Sequence, residues 1–311
     1  TVYIYASAGE GGKINPDGTV VVSKRTNKTF KITANSGYEI ADVKVDGESV
    51  GAVKEYEFKN VMDSHKISVT FKKTEDEPKD EPQDEPKNEV ADPKDTGVAN
   101  ILETEAHGAY LAGYETGEFG PNRNMTRAEA AQMFYNLLKE KNVPVTVQFT
   151  DVPENAWYAK AVHTLASLDV IKGVGANKYD PNRAITRAEF AAIATRFAKA
   201  DNEGTVSLRD VAETEWYYNA VLTAVNYGWI NGYEDNTFKP HNTITRAEVT
   251  TIVNKMLDRA ADKDFVSANE TDLKKFHDVA DAFWAYHQIL EATNGHDHEK
   301  SNGAETWKKL H

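Results

Sequence analysis

Along residues 1–73 apolar side chains fall on every second position. Val2, Ile4 and Ala6 alternate with Tyr3 and Tyr5, Phe30, Ile32 and Ala34 repeat the pattern, and Val43, Val45, Ile67, Val69 and Phe71 continue it, with a β-branched run at Val20 to Val22. A period of two puts alternate side chains on opposite faces of a strand, so one face can be buried. Pro16-Asp17-Gly18, Ser36-Gly37 and Asp46-Gly47 are turn sequences between these runs. No long helical pattern interrupts, which predicts a small, mostly antiparallel β domain. Gly9, Gly11 and Gly12 are followed by neither Lys-Ser/Thr nor a helix, so they predict a turn and not a phosphate loop.

From residue 99 onward the period changes. Phe190, Ile193, Ala194 and Phe197, and then Val249, Ile252, Val253 and Met256, fall at the three-and-four spacing of one helix face. Ahead of each lies a shorter run, Ala161, Val162, Leu165 and Ala166 in one case and Ala220, Val221 and Ala224 in the other. Residues 74–98 carry neither period. Glu77-Pro78, Glu81-Pro82, Glu85-Pro86 and Asp92-Pro93 recur there among charged residues, as expected of an extended, solvated tether.

The helical part repeats itself. Thr-Arg-Ala-Glu occurs at Thr126–Glu129, Thr186–Glu189 and Thr245–Glu248, a period of about 60 residues that marks a tandem architecture. Each copy is a capping box that starts a helix, with Ile185 and Phe190, or Ile244 and Val249, flanking it as a hydrophobic staple. The arginine is the odd member, because a cation at the first helical position opposes the helix dipole. Two readings stand. Arg127, Arg187 and Arg246 could form ion pairs, worth about 0–1 kcal/mol if exposed, or could combine with free helix-start amides into an anion cradle.

Two copies are complete: Asp151-Val152, Trp157 and Ile171-Lys172-Gly173 in one, Asp210-Val211, Trp216 and Ile230-Asn231-Gly232 in the next. The first begins late, at Tyr110-Leu111-Ala112-Gly113-Tyr114, and its missing half reappears near the end as Asp278-Val279, Trp284, Ile289 and Ala292. A last half-repeat that supplies what the first lacks predicts a closed pseudo-threefold body. The expected division is therefore 1–73 (β domain), 74–98 (linker), 99–145, 146–205 and 206–262 (repeats), and 263–311 (completing half-repeat).

Composition narrows the function. A net charge of −13 over 311 residues argues against a phosphate-backbone partner, so no nucleic acid is expected. With no cysteine, neither disulfides nor thiolate metal sites can form. No run approaches the ~18 apolar residues of a membrane span. The first residues already alternate like a strand with no leader pattern before them, as expected of a processed or shortened chain.

Residues 1–73 resemble the bacterial surface repeat related to the internalin B-repeat, through Ala8-Gly9-Glu10-Gly11-Gly12, Asn35 to Ile40, Val43 to Gly47, Tyr56-Glu57-Phe58 and Ile67 to Phe71. That resemblance implies a β-grasp-like spacer or adhesive module. The Asp-Val, Trp, Gly-Tyr and Thr-Arg-Ala-Glu order from 99 to 311 resembles surface-layer homology (SLH) domains in their usual set of three. This implies an all-α pseudo-threefold bundle, secreted to a cell surface, cell wall or S-layer. It also implies non-covalent binding of a secondary cell wall polysaccharide whose sugar bears a pyruvate ketal, hence a carboxylate, and it is compatible with self-association into a lattice.

By that resemblance Arg127, Arg187 and Arg246 receive the carboxylate in grooves between repeats. Trp157, Trp216 and Trp284 pack on the sugar or belong to the core, and Asp151, Asp210 and Asp278 accept from hydroxyls or cap the following turn. Gly113, Gly173 and Gly232 allow close backbone approach or end a helix in the left-handed conformation. Glu129, Glu189 and Glu248 are assigned to capping. The second copy departs from the others at Val174, where they have Tyr114 and Tyr233.

No Gly-x-Ser-x-Gly elbow or cysteine nucleophile occurs, and three equivalent capped glutamates do not make a glycosidase pair, so no catalysis and no cofactor are expected. His277, His287, His296, His298 and His311 crowd the tail, but their spacing alone supplies no ligand count and the expectation is no metal. Besides a wall anchor, two further possibilities stand: the wall-binding part of a larger exported enzyme, and an adhesin acting through its β domain.

Overall fold

The computed structural model describes residues 1–35, 38–73, 89–200, 207–301 and 303–311. The Ser36-Gly37 turn, tether residues 74–88 and the expected repeat boundary at 205/206 lie outside them. The chain divides into two compact units, residues 1–81 and 82–311.

The first unit holds β1 (Val2–Ala8), β2 (Gly12–Asn15), β3 (Gly18–Val22), β4 (Lys28–Ala34), β5 (Tyr38–Val45), β6 (Glu48–Gly51), β7 (Glu55–Phe58) and β8 (His65–Lys73). They form a five-stranded sheet, β3-β1-β8-β5-β6, and a three-stranded sheet, β2-β4-β7. β1 and β8 run parallel and the other pairs antiparallel. The alternating residues do what their period predicts: Ile4, Phe30, Ile32, Val43, Ile67 and Val69 form one buried cluster. No helix occurs among the described residues of this unit; its two sheets share one buried cluster, and the parallel β1–β8 pair at the centre of the larger sheet has antiparallel neighbours on both sides.

The second unit begins inside the expected tether. α1 (Pro93–Thr96) has Pro93 and Thr96 buried, and a 3-10 turn at Val98–Asn100 buries Val98. The Ala91 amide donates to Tyr227 O and the Lys199 amide to Thr96 O, so residues 91–98 are docked on the repeats and not tether. The expectation for them overlooked the good cap that Asp92 offers to Lys94 N, with Pro93 at the first helical position.

There follow α2 (Arg127–Leu137), α3 (Ala159–Ser167), α4 (Arg187–Thr195), α5 (Tyr218–Asn226), α6 (Arg246–Leu257), α7 (Lys263–Ala268) and α8 (Tyr286–Thr293). All three capping boxes are complete, with Thr126, Thr186 and Thr245 as caps. Each capping-box helix packs on the first helix of the following repeat, α2 on α3, α4 on α5 and α6 on α8. The unit is not all-α as expected. Its chain ends in a hairpin of β9 (His296–Ser301) and β10 (Ala304–Leu310).

The three repeats meet at a backbone triangle. The Met125 amide donates to Ile244 O (2.9 Å), Ile244 to Ile185 O (3.2 Å) and Ile185 to Met125 O (2.9 Å). These residues precede the three N-caps and are fully buried. The predicted closure is seen at the seam, where Asp278 of the last half-repeat accepts from Phe119 N and Gly120 N of the first repeat (2.8 and 2.7 Å). Asp151 grips Tyr179 N and Asp180 N, and Asp210 grips Phe238 N and Lys239 N, in the same way. The second residue of each gripped pair has positive φ: 69° at Gly120, 59° at Asp180 and 54° at Lys239. The aspartate thus fixes a loop conformation that two of the three repeats adopt without glycine.

Hydrogen bonds to a charged acceptor contribute about 1.5–3 kcal/mol each. Asp278→Ala should therefore lower the stability of the helical unit by about 2–4 kcal/mol. Urea unfolding followed by helix ellipticity in the full chain measures this, with Asp151→Ala and Asp210→Ala as internal comparisons.

Candidate functional site

The amides at each helix start are not free. Arg127 N, Arg187 N and Arg246 N donate to Arg183 O, Asn242 O and Arg123 O, and the following alanine amides donate to Pro181 O, Pro240 O and Pro121 O. The glutamate amides donate to their cap threonines. Every one of these donors is therefore engaged, and no amide cradle for an anion exists; that part of the expectation is overturned, because the next repeat's loop fills it.

The arginine side chains reach into that same neighbouring loop. Arg127 Nε donates to Tyr179 O and Nη2 to Lys172 O (both 2.8 Å), while Nη1 lies 3.3 Å from Glu189 Oε1. Arg246 donates to Phe119 O (2.8 Å) and Ala112 O (2.7 Å) and meets Glu129 Oε1 at 3.3 Å. Arg187 donates to Phe238 O (2.8 Å) and Asn231 O (3.1 Å), with Nη1 3.7 Å from Glu248 Oε1. Stacking on Tyr179, on Phe238 and Tyr233, or on Phe119 and Tyr114 covers the planar faces. The ion-pair reading thus describes one edge of each guanidinium, but the pairs are buried and cross-repeat.

Two of these arginines nevertheless floor open grooves. One, of about 420 Å³, is lined by Arg246, Gly113, Tyr114, Glu115, Glu129, Gln132, Asn136 and Trp157. The other, of about 380 Å³, is lined by Arg127, Lys172, Gly173, Val174, Glu189, Ile193, Arg196 and Trp216. Three successive repeats build each groove: an arginine from one, loop and capping-box helix from the next, and tryptophan from the one after. Trp157 and Trp216 stand out as 63% and 64% exposed, propped edge-on by Tyr158 and Tyr217. Trp284 differs, being half-buried against the core beside Phe283, and Arg187 is 1% exposed.

The aspartates are not in the grooves as hydroxyl acceptors, nor do they cap the following turn. Both oxygens of Asp151, Asp210 and Asp278 are engaged by the backbone amides described above, which correct both readings of them. Nor are Gly113, Gly173 and Gly232 left-handed helix stops, since none has positive φ. A Cβ there would come within 2.7 Å of Glu118 O, 2.6 Å of Lys178 O and 3.0 Å of Thr237 O, so glycine is needed for the loop to fold back on itself.

Sequence reasoning missed the second role of the capping glutamates and the groove face of the helices. Glu129, Gln132, Met133 and Asn136 line one groove, and Glu189, Ala192, Ile193 and Arg196 line the other. The signal was present, because these residues follow one face at three, four and seven positions from the glutamate. Tyr114 OH donates to Glu129 Oε1 at 2.6 Å; burial and this bond push the phenol up to about 12, so it remains a donor.

The S-layer homology domain model matches residues 99–131, 148–191 and 207–250. The chain carries three S-layer homology domains, in the order and number the repeats predict. It is 34% identical over 215 residues to the Cellulosome-anchoring protein of Acetivibrio thermocellus, covering 65% of this chain and 46% of that one. It is 30% identical over 236 residues to Cell surface glycoprotein 1 of the same organism (71% of this chain, 10% of that one). It is 32% identical over 176 residues to the Amylopullulanase of Thermoanaerobacterium thermosulfurigenes (54% and 9%). The chain thus spans from about a tenth to under half the length of these relatives. It is a secreted, cell-surface or wall-associated protein, and none of its described helices is long and apolar enough to cross a membrane.

Burial alone would raise the Glu189 carboxyl, but bonds from Arg183 and the Thr186 amide and the nearby Arg127 charge hold it below the ordinary 4.5. A lowered folded value means stability that is present above the unfolded value and lost as pH falls through the folded one. The helical unit should therefore weaken on acidification below the ordinary glutamate range, and Glu189→Gln should flatten that dependence. Chemical denaturation across an acid pH series checks this.

Proposed function

We propose that the chain fastens an exported protein to the bacterial wall by binding an anionic secondary cell wall polysaccharide, with a pyruvate-ketal sugar as its carboxylate-bearing unit. The observation that carries this reading is the pairing, in two grooves, of a highly exposed tryptophan with a buried arginine edge. A large flat apolar ring left in water is a platform for a sugar face. At the other end of each groove a guanidinium held rigidly by two carbonyls and shared with the neighbouring glutamate sets a fixed positive charge beneath the ligand. The names of the relatives, an anchoring protein and a cell surface glycoprotein, support the same role.

The grooves differ in charge. Arg127, Lys172 and Arg196 line one with Glu189 as its lining carboxylate, Lys172 also pairing with Asp169 beside it, whereas Arg246 lines the other with Glu115 and Glu129. The carboxylate-bearing sugar belongs in the first of these, since a carboxylate entering the second meets two like charges. The groove at Trp216 is therefore the anion subsite and that at Trp157 takes a neutral part of the glycan. Gly113, Gly173, Trp157 and Trp216 serve as contact surface. Arg187, Gly232 and Trp284, more deeply packed, form the weakest site, and Asp151, Asp210 and Asp278 act by holding loops. A catalytic partner, as in the amylopullulanase relative, would lie in a longer protein carrying this anchor.

Alanine at the arginines is a poor test, because breaking a buried pair costs about 3–5 kcal/mol and would perturb the fold. Exposed residues are better. Trp157→Ala with Trp216→Ala should leave thermal unfolding within a few degrees of the parent and weaken co-sedimentation with purified walls at least about tenfold. Walls stripped of their non-peptidoglycan polysaccharide should bind neither protein. Unchanged binding by the double variant, or by stripped walls, would count against the proposal.

A further inference from the structure

Away from the grooves, a buried cluster sits where the C-terminal hairpin meets the segment that leads into the first repeat. His107 Nδ1, His296 Nε2 and Glu305 Oε1 lie 3.0–3.2 Å from one another. Glu291, from α8, places its oxygens 3.4 Å from His107 Nδ1 and 3.6 Å from His296 Nε2. The four side chains are 0–1% exposed. The His298 ring stacks on His107 at 3.6 Å.

The atoms around the cluster orient these groups as ligands. His296 Nδ1 is 2.9 Å from Asn294 O, which can only accept, so the proton resides on Nδ1 and the Nε2 lone pair faces inward. Trp307 Nε1 and the Ala260 amide donate to the two oxygens of Glu305 and fix its plane. Both Glu291 oxygens are buried with no hydrogen-bond partner. The nearest cation does not satisfy them, since Arg259 donates to the carbonyls of Gly108, Glu103 and Ala106. Two imidazole nitrogens and a Glu305 oxygen therefore converge, with a His298 nitrogen within 4.8 Å of all three, the two Glu291 oxygens each against one imidazole, and the Arg259 charge nearby.

A tetrahedral zinc ion with bonds of about 2.0–2.2 Å has ligand atoms roughly 3.3–3.5 Å apart, close to the separations here. We propose that His107, His296, Glu305 and Glu291 form a structural zinc site. Four protein ligands and full burial leave no open position, which fits a structural and not a catalytic ion. The site joins strands β9 and β10 to a segment 189 residues earlier in sequence, and so ties the seam of the ring at a second place besides Asp278's loop grip. The expectation of no metal considered only the tail histidines; His107 is the ligand that spacing could not reveal.

Full-length, untagged protein stripped with a chelator tests this by calorimetric titration with zinc chloride, and with cobalt chloride as a spectroscopic probe. The expected result is one zinc per chain at roughly micromolar affinity or tighter, visible cobalt bands of tetrahedral type, and a higher unfolding temperature with zinc. Glu305→Gln and His107→Ala should each weaken zinc at least about 100-fold, while surface His311→Ala leaves it unchanged. No stoichiometric zinc on the parent chain, which would leave a metal-free histidine–carboxylate network, overturns the proposal. So does undiminished zinc binding by both ligand variants.

Discussion

Each capping-box helix starts inside its neighbour. A helix leaves its first amides unpaired, and here the first two of each are taken by carbonyls of the next repeat's loop, with the arginine side chain taking two more. Three helices do this in rotation, so the last donates to the first, and the Met125, Ile185 and Ile244 triangle sits at the centre. No repeat can satisfy its own polar backbone alone. A buried guanidinium beside a positive helix end would be unfavourable in isolation; carbonyls, an aromatic face and the neighbour's glutamate make it stable.

The same device makes the grooves. Because the arginine is clamped through Nε and Nη2, its remaining edge points to the seam between repeats, where the next-but-one repeat sets a tryptophan. Groove floor and assembly contact are thus two edges of one side chain. The capping glutamates join both, closing their own helix starts and meeting the arginine from the preceding repeat. Charge on the helix face then distinguishes otherwise related grooves, through Arg196 in one repeat and Asn136 at the matching position in another.

Local signals in the sequence carried a large part of this. The capping boxes, the alternating strands of the first unit and the displaced half-repeat were legible because each depends on residues a few positions apart or on recurrence. What failed depends on distance. Asp151 and Asp210 resemble turn caps until the loop about 28 residues on is seen to fold over them, and Asp278 finds its amides across the seam. Helix-start amides look free unless the neighbour's loop is known to enter. The terminal hairpin escaped notice because His296 to Ser301 is polar throughout, and burial of His296 comes from stacking on Trp307. Pro93 to Val98 was hidden by the charged, proline-rich composition of the residues before it.

Interlocking of this kind requires the helical unit to behave as one cooperative body. Native-state hydrogen exchange at the amides of Met125, Ile185 and Ile244 reads this most directly, since each belongs to a different repeat and donates to another. The expected result is a common opening free energy for all three, equal to that of unfolding the whole helical unit. Separate values, with one repeat opening while the other two stay protected, would contradict the closed ring.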